Sequence, residues 1–189
     1  CRSPELLDDV QRGLAVLTAS GLVLRRGFST GTTAAAACKA AVLSLALDTV
    51  KEVEVRLPCG IAVRLPVDAY RGQASCWKDA GDYTADVTAG LEFVATAAPS
   101  LNDGAHFVPG EGIGSFDRDT PRHRQGTPAI SATALECIRR SIDEAMEETG
   151  LSGATIILTV PRGAEVAQKT LNPKVGVHAG ISVLGTTGL

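Results

Sequence analysis

Residues 31–47 hold the most constraining feature of this sequence, a helix-length run with almost no bulky or charged side chains. The run reads GTTAAAACKAAVLSLAL and carries one charge, Lys39. Alanine is the best helix former, so we predict a helix here, entered through Ser29 and Thr30. Such a run is typical of a well-capped core helix, and its polar start also suits an anionic ligand.

The remaining apolar pattern predicts an α+β fold in which packed helices cover a mixed sheet. Residues 53–67 alternate apolar and polar side chains around a PCG turn, which is typical of a β-hairpin. The predicted strands are 53–57, 61–67, 74–78, 90–97 and 154–160, and residues 180–188 are predicted to form a final strand that runs into a glycine-rich turn. The further predicted helices are 3–21, 131–150 and 162–170. Residues 99–130 are rich in Gly, Pro and charge, and we predict a long functional or mobile segment there.

Local signals set some of these boundaries. Ser3 is the predicted cap of the first helix, and Gly21 is its predicted stop. Thr133 begins a capping box at the start of the helix at 131–150. The continuous β-branched run at 154–160 predicts a strand that is buried on both faces.

Composition and charge argue against several classes of protein. The formal net charge is −3 and aromatic residues make up 4%, so we expect no nucleic-acid partner. We expect no membrane-spanning run, and early charged residues argue against a signal peptide. Five cysteines without C-x-x-C spacing predict free thiols in a reducing cytoplasm, and the three histidines lack metal-ligand spacing. We therefore expect a cytoplasmic protein with no bound metal and no membrane partner.

The start of the 31–47 helix is the first candidate site. Free N–H groups at a helix N-terminus favour anions, and hydroxyl groups lie beside them here. The candidate residues are Arg26, Ser29, Thr30, Gly31, Thr32, Thr33 and Lys39. The alternative interpretation is that the hydroxyls only cap the helix and the alanines only allow close packing. That alternative does not explain why several hydroxyls are present where one cap suffices.

Two glycine-rich segments and one acidic segment complete the candidates. Glycines at 108–116 and at 185–188 let the backbone approach a ligand, with a flexible loop and a tight turn as the alternatives. Aspartates at 79–90 can bind a cation or transfer a proton, with solvated turns as the alternative. The candidate binding residues are Gly110, Gly112, Gly114, Asn172, Gly185, Thr186, Thr187 and Gly188. The candidate catalytic carboxylates are Glu111, Asp82 and Asp86.

Five blocks of the sequence, taken together and in order, resemble the CbiD family. They read RRGFSTGTTAAAACKAA, GDYTADVTAG, GEGIG, QGTPAIS and TVPRGAEVAQKTLNPKVGVHAGISVLGTTG. The last block is the most specific because it combines a proline-glycine turn, NP and GTTG in one ordered stretch. The resemblance extends from about Leu24 to the last residue. It divides the chain into a helical extension, residues 1–23, and an α+β domain, residues 24–189.

The resemblance implies a cobalt-precorrin-5B C1-methyltransferase of anaerobic cobalamin (vitamin B12) biosynthesis. S-adenosyl-L-methionine is then the cosubstrate, and cobalt enters only as part of the corrinoid substrate. That substrate is a flat macrocycle fringed with carboxylates, so it suits anion-binding groups around low walls of Gly and Ala. Methyl transfer from a sulfonium needs in-line positioning and exclusion of water rather than an enzyme nucleophile. The oligomeric state stays open, with a homo-oligomer as one option.

Two features depart from the family pattern. Family members continue past GTTG into a second α/β domain, so we expect this chain to be the N-terminal domain of a two-domain enzyme. No glycine motif of a standard methyltransferase follows a strand, so the donor pocket is not placed. Two other functions stay open: a non-catalytic corrinoid- or phosphate-binding domain, and a small-molecule kinase, although no P-loop motif is present.

Overall fold

The protein is described by a computed structural model covering residues 4–121 and 123–189, with side chains from Leu6 onward. The helices are α1 (Pro4–Gln11), α2 (Thr30–Leu47), α3 (Ala132–Thr149) and α4 (Gly163–Ala167), followed by a 3-10 helix at Asn172–Val175. The strands are β1 (Ala15–Leu17), β2 (Val23–Arg25), β3 (Thr49–Arg56), β4 (Ala62–Tyr70), β5 (Gln73–Trp77), β6 (Glu92–Pro99), β7 (Gly104–Pro109), β8 (Gly112–Ile113), β9 (Ser115–Phe116), β10 (Gly153–Thr159), β11 (Val177–His178) and β12 (Gly180–Ile181).

A six-stranded sheet forms the body of the fold. Its strand order is β3-β4-β5-β6-β10-β7, and within it β10 and β7 pair in parallel while the other pairs are antiparallel. α2 packs against the sheet and against α3, so its residues from Gly31 to Ser44 are all buried. Small alanine side chains let both neighbours approach this helix closely. The predicted α+β class, the helix at 31–47 and the hairpin at 53–67 are confirmed.

The composition of α2 follows from its central position. By length and mean hydropathy, α2 is apolar enough to cross a membrane, although no run of that kind was expected from the sequence. Most of the helix is buried inside the protein. A helix that is enclosed by other elements must be apolar on every side, so its burial accounts for this composition.

The first predicted helix is too long. α1 ends at Gln11, Gly13 takes a positive φ of 79°, and the chain then forms β1 rather than further helical turns. β1 pairs antiparallel with β2, which satisfies backbone groups that a helix would have satisfied internally. The predicted extension at 1–23 is therefore helical only in part, and its predicted cap Ser3 lies outside the described residues.

The segment 99–130 is more ordered than predicted, because β7 lies within it and pairs in parallel with β10. β7 lies at the edge of the sheet and exposes Ala105 and His106, so it lacks the apolar alternation that marks a strand. β8 and β9 then pair with β12 and β11 near the end of the chain.

Two smaller predictions also differ from the structure. Ser131, not Thr133, caps α3, since its hydroxyl accepts a hydrogen bond from the Ala134 N–H at 3.2 Å. β10 is buried on one face only, because Ile157 on the other face is 42% exposed. A β-branched run therefore reflected strand propensity here more than two-sided burial.

Candidate functional site

A pocket of about 590 Å³ lies where the start of α2 meets the end of the chain. It is lined by residues 26–30, by Leu184, Gly185, Thr186 and Leu189, and by Lys78, Ala80, Tyr83 and Asp86. Its volume falls within the range of small-molecule sites in proteins. Three segments that the sequence analysis singled out separately, around 29, 82 and 186, therefore contribute to one concave surface.

The hydroxyls at the start of α2 all bond within the protein. Ser29 caps the helix by accepting from the Thr32 N–H at 3.2 Å. The Thr30 hydroxyl accepts from the Leu184 N–H at 2.8 Å, and the Thr32 hydroxyl donates to the Gly188 carbonyl oxygen at 2.8 Å. These bonds join the start of α2 to residues 182–188. Contact between these hydroxyls and a ligand stays a prediction.

The glycines of this region allow close backbone contact. The Gly31 N–H donates to the Leu184 carbonyl oxygen at 2.8 Å, and a Cβ on Gly31 would lie 2.7 Å from the Ala134 Cβ. A Cβ on Gly185 would lie 2.7 Å from the Ser29 Oγ. The Ser29 N–H in turn donates to the Gly188 carbonyl oxygen at 2.9 Å. Protein carbonyls therefore occupy much of the helix N-terminus that the sequence suggested as an open anion site.

Thr32→Val tests whether this junction holds the end of the chain. Thr32 is 1% exposed, and valine keeps its shape while removing the bond to Gly188. We expect a loss of about 1 kcal/mol, which is roughly 2–4 °C in Tm, measured by thermal unfolding of the full-length protein. Thr186→Val is the matched control, because Thr186 is exposed at the pocket. Equal Tm values for the two variants would contradict this assignment.

A partly buried ion pair also lines the pocket. Lys78 follows β5, its side chain is 7% exposed, and its Nζ lies 2.9 Å from the Asp86 Oδ2. The other Asp86 oxygen, Oδ1, accepts from the Thr88 hydroxyl at 2.6 Å and from the Thr88 N–H at 2.8 Å. Partial burial opposes ionisation of Asp86, but the Thr88 and Lys78 donors outweigh it and lower the pKa of the carboxyl. Asp86 is therefore an ionised anchor for Lys78 at neutral pH.

The other two candidate carboxylates do not line this pocket. Asp82 accepts from the Arg25 N–H at 2.6 Å, which fixes the loop after β5 to β2. Glu111 is exposed, and its carbonyl oxygen accepts from the Val160 N–H at 2.8 Å. Of the three carboxylates proposed for catalysis, Asp86 is the one that the fold places at the pocket. A catalytic role for any of them stays a prediction.

The glycines beside Glu111 pack against backbone rather than line the pocket. A Cβ on Gly112 would lie 1.8 Å from the Val160 carbonyl oxygen, and one on Gly114 would lie 2.6 Å from the Gly180 carbonyl oxygen. Gly110 approaches the Leu158 carbonyl oxygen in the same way. Close packing of chain segments is sufficient to explain glycine at these positions.

Two further candidate residues are buried and bonded elsewhere. Lys39 on α2 contacts Glu144 on α3, with 2.6 Å between the Nζ and the Oε2. Asn172 donates from its side chain to the Gly180 carbonyl oxygen at 3.2 Å and accepts from the Ser182 hydroxyl at 3.1 Å. Asn172 therefore stabilises residues 180–182, which precede the segment at the start of α2, and it does not line the pocket.

Thiols and metal-ligand clusters complete the chemistry of the described residues. Cys38, Cys59, Cys76 and Cys137 are free, as predicted, and Cys1 lies outside the described part of the chain. Burial raises the pKa of the Cys76 thiol to about 12, so it is protonated at neutral pH. Within 4–121 and 123–189, no group of three or more His, Cys, Asp or Glu side chains is placed to hold a metal ion.

Several residues of the pocket were not predicted from the sequence, among them Phe28, Tyr83 and Lys78. Phe28 was passed over between glycine and serine, Tyr83 lay among turn aspartates, and Lys78 closed a predicted strand. Lys78 and Asp86 are eight positions apart with an irregular loop between them, so no helical or strand spacing signals their contact. A buried lysine at a strand end becomes visible as a site residue only in the folded chain.

The fold and the pocket define an α+β domain whose first long helix and final segment together line a cavity of small-molecule size. The chain belongs to the CbiD family, whose model matches residues 17–189. This match begins within β1, and the division of the chain at residue 24 stays a prediction.

Several relatives of known name match nearly all of the chain. It is 85% identical to the cobalt-precorrin-5B C(1)-methyltransferase of Methanoculleus marisnigri, covering 100% of this chain and 56% of that protein. It is 58% identical to the protein of the same name from Methanoregula boonei, covering 98% of this chain and 55% of that protein. The chain thus spans about half the length of these curated relatives.

A solved structure has the same fold. The crystal structure of cobalamin biosynthesis protein cbiD from Archaeoglobus fulgidus superposes with a TM-score of 0.84 at 38% identity. The superposition covers 100% of this chain and 61% of that chain. The agreement extends over the whole α+β domain and supports treating it as the N-terminal part of the family architecture.

Proposed function

We propose that the protein containing this chain is an S-adenosyl-L-methionine-dependent methyltransferase that methylates ring carbon C-1 of cobalt-precorrin-5B in anaerobic cobalamin biosynthesis. The observation that carries this proposal is the 85% identity, over 188 residues, to a protein of that name. Identity at this level over the full chain favours the same chemistry and the same substrate. A cytoplasmic location accompanies the proposal, because the corrinoid and the methyl donor are small cytoplasmic molecules.

The pocket supports an anionic substrate. Its charged lining consists of two cations, Arg26 and Lys78, and one anion, Asp86. A net positive concave surface attracts a molecule that carries several carboxylates. Its volume suits one edge of a macrocycle with its side chains.

The proposed reaction needs no covalent bond between the protein and either reactant. As the new bond to the ring carbon forms, the bond from the methyl group to the sulfonium sulfur breaks, and S-adenosylhomocysteine leaves. The protein's contribution is in-line placement of the two reactants and exclusion of water. We assign none of the described residues to the binding of the methyl donor. A donor site is part of the function proposed for the full-length enzyme.

The test is incubation of the full-length protein with cobalt-precorrin-5B and S-adenosylmethionine labelled in the methyl group. We expect protein-dependent label in the corrinoid and equimolar S-adenosylhomocysteine. Corrinoid binding without label would instead identify a non-catalytic binding domain. No feature of the described residues favours the kinase alternative, and ATP-dependent phosphorylation of a corrinoid precursor without methyl transfer would establish it.

A further inference from the structure

Lys78 is a buried cation with an unused hydrogen-bond donor. An ammonium group has three N–H donors and no acceptor. The Lys78 Nζ donates to Asp86 Oδ2 at 2.9 Å and to the Asp79 carbonyl oxygen at 3.2 Å. Among residues 4–121 and 123–189, these are its two acceptors. Because the side chain is 7% exposed and lines the pocket, the third donor is available to a pocket ligand.

Asp86 fixes the position of this ammonium group. Its two oxygens accept three hydrogen bonds, two from Thr88 and one from Lys78. The loop from 79 to 90 is thereby held against the end of β5, and Lys78 has little freedom to turn away. With its oxygens engaged by these donors, Asp86 is poorly placed to take a proton from a ligand. Its geometry is that of a positioning residue.

Several other donors near the pocket are already engaged. The hydroxyls of Thr30 and Thr32 bond to residues 182–188, and the Ser29 and Gly31 N–H groups donate to carbonyl oxygens of Gly188 and Leu184. Arg26 is exposed on the rim, and its guanidinium has no ion pair with any residue in the described ranges. Lys78 inside the pocket and Arg26 at its mouth are the cationic donors left for an anion.

We propose that Lys78 is a ligand-binding residue that recognises a carboxylate of the substrate, with Asp86 as its positioning residue and Arg26 as a second contact at the rim. The ligand class is a corrinoid with free carboxylate side chains, and this choice rests on the proposed function. A primary amide is neutral, so it gains no ionic attraction from a buried ammonium, and carboxylates are bound in preference to amides.

The test compares two corrinoids that differ in side-chain charge. Dicyanocobyrinic acid carries free carboxylates, and dicyanocobinamide carries amides in their place. Dissociation constants are measured by absorbance titration of the full-length wild-type protein and of Lys78→Met, Arg26→Met and Lys51→Met. Lys51 is the control cation, because its side chain is 74% exposed and it pairs with Asp68 away from the pocket.

We expect the wild type and Lys51→Met to bind the carboxylate corrinoid at least tenfold more tightly than the amide. Lys78→Met is expected to reduce this ratio to within twofold of unity, and Arg26→Met to reduce it in part. A wild-type ratio near one, binding of neither corrinoid, or an unchanged ratio in Lys78→Met would overturn the inference. If Lys78→Met fails to fold, the inference is tested with Arg26→Met, which changes an exposed side chain. An unchanged ratio of dissociation constants in Arg26→Met would then contradict the inference.

The outcome is separable from that of the proposed function. A charge-dependent ratio in a protein that transfers no methyl group supports the inference and contradicts the methyltransferase proposal. Methyl transfer to cobalt-precorrin-5B, together with a ratio of dissociation constants that is unchanged in Lys78→Met, supports the methyltransferase proposal and contradicts the inference about Lys78.

Discussion

Gly112→Ala is expected to destabilise the protein by about 4 kcal/mol or more, the range of exceptional single substitutions. A Cβ on Gly112 would lie 1.8 Å from the Val160 carbonyl oxygen, and Gly112 also has a positive φ of 78°. The colliding atom belongs to the backbone that follows β10, so no side-chain rotation can relieve the contact. Thermal unfolding of the full-length variant should show Tm lowered by roughly 8–16 °C, or the protein should fail to accumulate.

Gly126→Ala is the matched control for this substitution. Gly126 has nearly the same φ, 80°, but nothing lies within 4 Å of the position of a Cβ. Its alanine variant therefore carries the backbone strain without the collision, at a cost of about 1–2 kcal/mol. A Gly112→Ala variant no less stable than Gly126→Ala would show that the segments around β8 are packed less closely than described.

Glu144→Leu is expected to cost about 2 kcal/mol because it leaves a buried ammonium without its partner. The Lys39 side chain is 11% exposed and lies 2.6 Å from the Glu144 carboxylate. Breaking a fully buried pair costs about 3–5 kcal/mol. Glu144 is 37% exposed, so water screens part of the interaction and the expected loss is smaller. Urea unfolding of the full-length protein measures this loss.

The double variant Lys39→Met, Glu144→Leu distinguishes the cost of an unpaired charge from the cost of lost packing between α2 and α3. Removing both charges leaves no uncompensated ion between α2 and α3, so we expect stability within about 1 kcal/mol of wild type. Asp68→Asn breaks an exposed pair of the same 2.6 Å length, with Lys51, and should cost less than about 1 kcal/mol. Failure of the double variant to recover stability would assign the loss to packing rather than to charge.

The sequence predicted those elements whose pattern is strong and local. α2, the hairpin of β3 and β4, and α3 all have a clear period and recognisable ends, and each forms close to its predicted place. β7 could not be predicted, because its backbone is satisfied by β10 about fifty positions further along the chain. The first helix was predicted too long because leucines spaced for a helix also suit a short strand after Gly13.

The candidate site was predicted in its parts more than in its assembly. Arg26, Ser29 and Thr186 were predicted and line the pocket, whereas Gly112 and Lys39 were predicted and serve packing and an ion pair elsewhere. Glycine and hydroxyl groups suit both ligand contact and tight backbone contact, so residue type alone could not separate the two uses. Lys78, on which the binding proposal rests, could be recognised only once the folded chain showed that its side chain is buried.

The junction between the start of α2 and residues 182–188 also governs how the chain matures on the ribosome. The Thr30 hydroxyl meets a backbone oxygen 152 positions later. At about 5–20 residues per second, α2 waits roughly 8–30 s for the segment that completes its N-terminal contacts. During that interval its apolar surface needs shelter, and the cavity lacks one wall. The complete lining of the pocket therefore forms only after translation has passed residue 188.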